Sequence, residues 1–360
     1  MNKRELLFKN LRREGMGGVP SDIELTPPKI REFNQGYPDQ DLSTYFGCYH
    51  KVEHIKFTPS YTSDGSYLFS KHTMPEKFDV DPWGIGKSYG SEAAFHMCHF
   101  HSPLQGDETT IEEINCYPLP IISDAEKKRL TARNRQIKEL GYASFGDFTQ
   151  TIWERSWLIR GMNDLMIDMS LEDERAELIL TKVTDHACEC VAILAESGCN
   201  IIALGDDIGM QSSTMMSVPM WEKWIKPNLK RVVDTIKTIN PEIFIFYHSC
   251  GYITPFIEGL LDAGIEILNP IQPECMDLFE IDRLYGERLS FWGGIGTQTT
   301  LPFGTPEDVR ARTLELYEHF KDKGGMVICP THIIEPDVSW ENLNAYQDTI
   351  QELRKNLTES

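Results

Sequence analysis

Residues 243–250 read Ile-Phe-Ile-Phe-Tyr-His-Ser-Cys. An unbroken apolar run this short, ending in polar groups, is the pattern of a strand buried on both faces that stops at a loop. The same form recurs on either side. Asn200-Ile201-Ile202-Ala203-Leu204 ends in Gly205-Asp206-Asp207, and Ile265-Glu266-Ile267-Leu268 ends in Asn269-Pro270. Leu289-Ser290-Phe291-Trp292 ends in Gly293-Gly294, and Met326-Val327-Ile328 ends in Cys329. Helix-like segments separate these runs. Residues 219–238 carry Trp221, Trp224, Ile225, Val232, Val233 and Ile236 on one face, with Ser217 as N-cap and Pro227 as a kink. Residues 254–263 form a short helix, Thr305-Pro306 opens another, and residues 340–353 close the chain. Strand and helix alternating in this way predict a parallel sheet with covered faces, and at this length a (β/α)8 TIM barrel.

Upstream the pattern is less regular. Pro20, Pro27-Pro28, Pro38, Pro59, Pro75 and Pro82 interrupt residues 1–115, which are expected to be an irregular N-terminal extension that packs on the barrel and helps cover its mouth. Residues 116–360 are expected to hold the barrel, the whole forming one structural domain. Residues 124–140 and 146–168 read as helices, the second with Trp153, Trp157 and Leu158 at helical spacing.

Composition excludes several classes of function. Of 360 residues, 41% are hydrophobic and 25% charged, ordinary usage for a globular protein. A formal charge of -20, from 55 acidic and 35 basic residues, repels nucleic acid and anionic lipid. It also disfavours a polyanionic substrate unless basic residues gather in one cleft. No apolar stretch reaches the roughly 20 residues that span a bilayer, and Met1-Asn2-Lys3-Arg4-Glu5 lacks the apolar core of a signal peptide. Nine cysteines without framework spacing fit reduced thiols, so the expected location is the cytoplasm. Cys188 and Cys190 lie in a helix-like segment and are assigned to packing. A homo-oligomer is left open.

In a barrel of this kind chemistry sits where strands run into the following loops. Those positions here carry Asp206, Asp207, His248, Cys250, Asn269, Gln272, Gln298, Cys329 and His332. Thiolate and imidazole suit zinc, and His248, Cys250, Cys329 and His332 would supply four such groups from two strand ends. Any one of them taken alone reads equally well as a packed core residue. Asp206 and Asp207 are adjacent, so in extended chain only one of them faces the pocket, either to orient a ligand histidine or to deliver a proton. Tyr247, Trp292, Tyr45, Phe46 and Tyr49 are candidate walls of an aromatic pocket, against the competing reading that they pack. His96, His99 and His101 have metal-like spacing but are assigned to structure.

The ordered series of strand ends resembles the uroporphyrinogen decarboxylase superfamily, barrel proteins that include decarboxylases and zinc-dependent methyltransferases. The resemblance rests on Gly205-Asp206-Asp207-Ile208-Gly209, His248-Ser249-Cys250-Gly251, Leu268-Asn269-Pro270-Ile271-Gln272 and Phe291-Trp292-Gly293-Gly294-Ile295 with Thr297-Gln298. It continues through Leu301-Pro302-Phe303-Gly304-Thr305-Pro306 and Pro330-Thr331-His332 to Glu341-Asn342. The decarboxylases' Arg-Gln-Ala-Gly-Arg-Tyr segment has no counterpart here. The methyltransferases' His-x-Cys matches His248 and Cys250, whereas their Pro-Gly-Cys aligns with Pro330-Thr331-His332, putting a histidine where a cysteine is expected. Cys329 or His332 would then complete the metal site, or His332 would act on substrate or as acid and base. The resemblance implies a zinc-dependent methyltransferase moving a methyl group from a small methoxylated or N-methylated substrate to the cobalt of a corrinoid (cobalamin). The carrier would be a separate corrinoid protein, since this chain has no Asp-x-His-x-x-Gly element. Tyr247, Asn269, Gln272, Trp292 and Gln298 are the residues expected to bind substrate, and Asp206, Asp207 and His332 those expected to serve catalysis. The alternatives are corrinoid-to-thiol transfer of the coenzyme M type and a metal-independent decarboxylase or lyase.

Overall fold

A computed structural model gives the protein as an α/β barrel and describes residues 1–90 and 98–359. Seven strands form one parallel sheet: β1 (His50–His54), β2 (Ala143–Asp147), β3 (Ile201–Gly205), β4 (Phe244–His248), β5 (Ile267–Asn269), β6 (Ser290–Ile295) and β7 (Met326–Pro330). They are neighbours in chain order, with helices between most of them. The gap between β7 and β1 is filled by an irregular stave. Ser21 bridges Ile328 in parallel, Ile328 N–H donates to Pro20 at 3.2 Å, and the Ser21 hydroxyl donates to Phe46 O at 3.0 Å on the approach to β1.

Side-chain alternation sorts the residues of each strand between two cores. In β4, Phe244 and Phe246 join Phe145, Ala203, Trp292, Val327 and Cys329 inside the barrel, while Ile245 and Tyr247 pack outward under the helices. The first helix, Lys3–Leu11, closes the bottom. Asn2 and Glu5 cap it reciprocally, and Leu7 and Leu11 enter the inner core, each contributing about 1.5–3 kcal/mol of burial. Asn10 Nδ2 donates to Met326 O at 2.9 Å, at the N-terminal edge of β7. With that end plugged, the open end is the one at the strands' C-termini.

Three sequence expectations change. The barrel draws β1 and its irregular stave from within residues 1–115, so the boundary at 115 does not mark its start. β1 reads His-Lys-Val-Glu-His, with no apolar run to reveal it. Residues 146–168 are not one helix: Gly146 and Asp147 belong to β2, and helices Trp153–Arg160 and Met162–Leu171 meet at Gly161, whose φ of 94° interrupts them. The helical stretch after β3 is likewise split, into Val218–Trp224 and Lys226–Ile239, the second with Pro227 in its first turn. Among the described residues no helix is long and apolar enough to cross a membrane.

Candidate active site

Strand register sets the centre of the mouth. β3 pairs Gly205 with His248 and β5 pairs Asn269 with His248, so the three end one row of the sheet. His248 Nδ1 lies 2.5 Å from Asn269 Oδ1, and Asn269 Nδ2 donates to Trp292 O at 2.8 Å. A carbonyl can only accept, so it fixes the amide's orientation. The amide oxygen must then accept from Nδ1–H, which leaves the His248 lone pair on Nε2.

That lone pair faces two other donors. The Cys250 thiol donates to His248 Nε2 across 3.5 Å, Asp207 Oδ1 stands 3.6 Å from the same nitrogen, and the three ligand atoms all lie within 4.8 Å of one another. Asp207 is itself held by the Cys250 backbone N–H at 2.7 Å. Burial pushes the Cys250 thiol well up, and the nearby Asp207 and Glu154 carboxylates push it further. A bound dication would replace the shared thiol proton and reverse the effect of this crowding of negative groups. Thiolate, imidazole and carboxylate with a fixed tautomer fit zinc.

The structure separates the other sequence candidates. Asp206 and Asp207 diverge as adjacent residues must, and Asp206 turns away from the mouth. Its buried carboxylate accepts from Ile152 N at 3.0 Å and Glu154 N at 2.9 Å, capping the helix Trp153–Arg160, while burial raises its pKa to about 7. Tyr247 is buried on the outer side, its hydroxyl 3.4 Å from Asp206 O, because its neighbour His248 takes the inner face. Cys329 faces inward, paired with Gly294, and belongs to the inner core and the wall of the inner recess rather than to the ligand group. The ring of His332, just past the end of β7, is 6.4 Å from that of His248, which brings the histidine rather than Cys329 toward the candidate metal site. Tyr45 and Phe46 pack in an aromatic cluster with Phe33, and Tyr49 is in the inner core; none of the three lines a cavity at the mouth. His101 pairs with the Ser88 hydroxyl at 2.9 Å, and neither it nor His99 joins a metal-type group among the described residues. His96 lies outside them.

Two recesses meet at His332 and Ile333, which line both. The inner one, about 430 Å³, lies within the barrel and has Phe145, Phe246 and Trp292 as its aromatic part. The outer one, about 480 Å³, is bounded by Asp207, Cys250, Gln272 and Gln298. Gln272 Oε1 accepts from Gly251 N at 2.5 Å, which shapes the loop that carries Cys250. Neither recess has a lysine or arginine among its described lining residues.

Sequence reading missed several groups of the inner recess: Asp22, Glu24, His50, His54 and Asp147. Asp22 accepts from Trp292 Nε1 at 2.9 Å and pairs with His50 Nε2 at 3.3 Å. Burial raises its pKa, but the His50 charge and these hydrogen bonds outweigh it and the net shift is downward. Asp147 pairs with His54 Nδ1 at 3.0 Å; burial again opposes, the His54 bond and charge prevail, and the net shift is downward. A signal was present in β1, where His50, Val52 and His54 alternate on one face.

Comparison with known proteins agrees with this architecture. Over 245 residues the chain is 22% identical to uroporphyrinogen decarboxylase 1, chloroplastic, of Oryza sativa subsp. japonica, covering 66% of this chain and 56% of the relative. Over 188 residues it is 24% identical to a methylated-thiol–coenzyme M methyltransferase of Methanosarcina mazei, covering 52% of this chain and 47% of the relative. The chain thus spans about half the length of the curated relatives it matches. A solved methyltransferase from Methanosarcina mazei superposes with a TM-score of 0.68 over 98% of this chain and 99% of that one at 15% identity, a likeness of fold. The family model described as uroporphyrinogen decarboxylase (URO-D) matches residues 155–353, more than half of the chain, and the protein belongs to that family.

Proposed function

We propose that the protein is a zinc-dependent methyltransferase, taking a methyl group from a small methoxylated or N-methylated substrate and passing it to the cobalt of a corrinoid on a separate protein. The observation that carries this reading is the convergence of His248 Nε2, Cys250 and Asp207 beside two recesses. Zinc held there would supply Lewis acidity toward a leaving atom, or keep a thiol deprotonated. The chain's own residues do the rest. Asn269 orients His248, the inner recess holds the small substrate away from bulk water, and the outer recess offers a partner's cofactor a way in. His332, lining both, is placed to deliver a proton to a departing oxygen.

A polycarboxylate substrate of the decarboxylase kind fits poorly, since no lysine or arginine lines either recess among the described residues. The name of the Methanosarcina mazei relative favours a second reading, methyl transfer from a corrinoid to a thiol, and one assay separates the two. Purified protein is assayed for metal, then given methoxylated and N-methylated donors with reduced cobalamin, or methylcobalamin with a thiol. About one zinc per chain and zinc-dependent methylation of the cobalt are expected. Consumption of methylcobalamin only with thiol would favour the second reading. A protein that stays metal-free after zinc reconstitution would sink both.

The role given to Asn269 has its own consequence. Asn269→Ala removes the group that fixes the His248 tautomer without touching a metal donor. Zinc affinity is expected to fall by about 10–100-fold, read by competition with a chromophoric chelator; unchanged affinity would show that the tautomer is set some other way.

A further inference from the structure

We propose that the small methylated substrate is a cation, and that Phe145, Phe246 and Trp292 together with Asp22, Glu24 and Asp147 form a site for a methylated ammonium group. The proposal rests on the methyltransferase reading and specifies what the inner recess accepts.

Its first support is the aromatic part of the recess. Phe145 and Phe246 lie 5.2 Å apart at 77°, Phe246 and Trp292 5.5 Å apart at 83°, and Phe145 and Trp292 5.7 Å apart. All three rings line the same recess at different inclinations. Ring faces carry the negative part of the aromatic quadrupole and attract a diffuse cation, and their apolar carbon surface suits its methyl groups.

The second support is the distribution of charge. Asp22 and Asp147 keep 29% and 23% of their side-chain surface open although they stand inside the barrel wall, so their oxygens face the recess. Glu24 adds a third carboxyl group, reached by no side-chain hydrogen bond or ion pair among the described residues; burial and the neighbouring Asp22 and Asp147 charges push its pKa up, an effect that a cation seated beside it would reverse. Against these, among the described lining residues, stand imidazoles and no lysine or arginine. Asp22 and Asp147 are both held below the usual carboxylate range and stay ionised, while the hydrogen bond to Asp147 holds His54 toward its charged form. His50 is nearly fully buried in the recess wall, and its Nδ1 has no hydrogen-bond partner among the described residues. The recess therefore sets carboxyl groups beside aromatic surface, with no lysine or arginine among its described lining residues. A neutral methoxyarene would draw on the rings alone, whereas a methylated ammonium ion draws on the rings and on the carboxyl groups beside them.

The test is binding, kept apart from turnover. Choline and its neutral isostere 3,3-dimethylbutan-1-ol differ in charge and hardly in shape. Titrated calorimetrically into the zinc-loaded protein, choline is expected to bind about tenfold or more tightly than the alcohol. Asp147→Asn should erase most of that preference while leaving zinc content unchanged. Equal binding of the pair, binding of neither, or an undiminished preference in Asp147→Asn would overturn the assignment. Charge-selective binding without methylation of cobalamin would leave it standing and count against the methyltransferase reading; zinc-dependent methylation from a neutral ether without charge selectivity would do the reverse.

Discussion

His248→Ala is expected to purify with only traces of zinc, to lose methyl transfer to background, and to keep its fold. The neutral imidazole offers one nitrogen lone pair, and the Asn269 bond places it on Nε2, toward Cys250 and Asp207. Among the described residues no second histidine joins Cys250 and Asp207 there. The cost to stability should be small, because the side chain is partly open to the mouth and its loss leaves Asn269 Oδ1 beside a recess that admits water. Cys250→Ala should behave in the same way. Cys329→Ala makes a contrast, since that thiol is buried in the inner core outside the ligand group: zinc content should hold while stability falls by about 1–2 kcal/mol, the scale of a small cavity. Metal analysis, circular dichroism and the cobalamin assay on the three variants give the answer together. Full zinc in His248→Ala, or its loss in Cys329→Ala alone, would mean that the metal site is built on the other strand end.

Gly205→Ala carries the second large effect, through the backbone. Gly205 adopts φ of +153°, and a Cβ there would lie 2.4 Å from His248 O and 2.7 Å from His248 N. Those atoms belong to the adjacent strand, so relief requires β3 and β4 to separate at the row that carries the site. Overpacking of about 1–3 kcal/mol and backbone strain of about 1–3 kcal/mol together predict about 2–6 kcal/mol lost. The same shift moves the His248 donor, and displacement on the 1 Å scale costs about 100-fold in rate. Denaturant unfolding and turnover should therefore fall together. Gly36→Ala serves as control, because a Cβ there meets nothing within 4 Å. Normal stability in Gly205→Ala would show that the strand ends are not held as tightly as their register implies.

Both substitutions fall at strand ends that the amino-acid sequence alone makes legible. The sheet from β3 onward can be read because its strands are buried on both faces, and burial on both faces leaves an unbroken apolar run. β1 cannot, because its residues alternate between the inner recess and a charged outer contact in which Glu53 pairs with Arg129 at 2.7 Å. β2 is hidden for another reason. Ala-Ser-Phe-Gly-Asp is weakly apolar and precedes tryptophans at helical spacing, so the neighbouring helix imposes its period on the reading.

The candidate site divides along the same line. His248 and Cys250 are evident because both lie within three residues of a strand end, where chain order dictates spatial order. Local alternation also turns Tyr247 outward once His248 is placed inward. Whether Asp206 or Asp207 faces the mouth depends on the helix Trp153–Arg160, which claims Asp206 as its cap from about fifty positions upstream. That Cys329 stays in the inner core, outside the ligand group, depends on how β7 pairs with β6. The acidic wall of the inner recess is wholly tertiary: Asp22 meets Trp292 across 270 residues, and His50 meets Asp22 only because the irregular stave closes the barrel between β7 and β1. Periodicity and strand-end chemistry are short-range properties, so one sequence discloses them; which side chains share a cavity follows from barrel closure, a long-range event that leaves no local pattern in the chain.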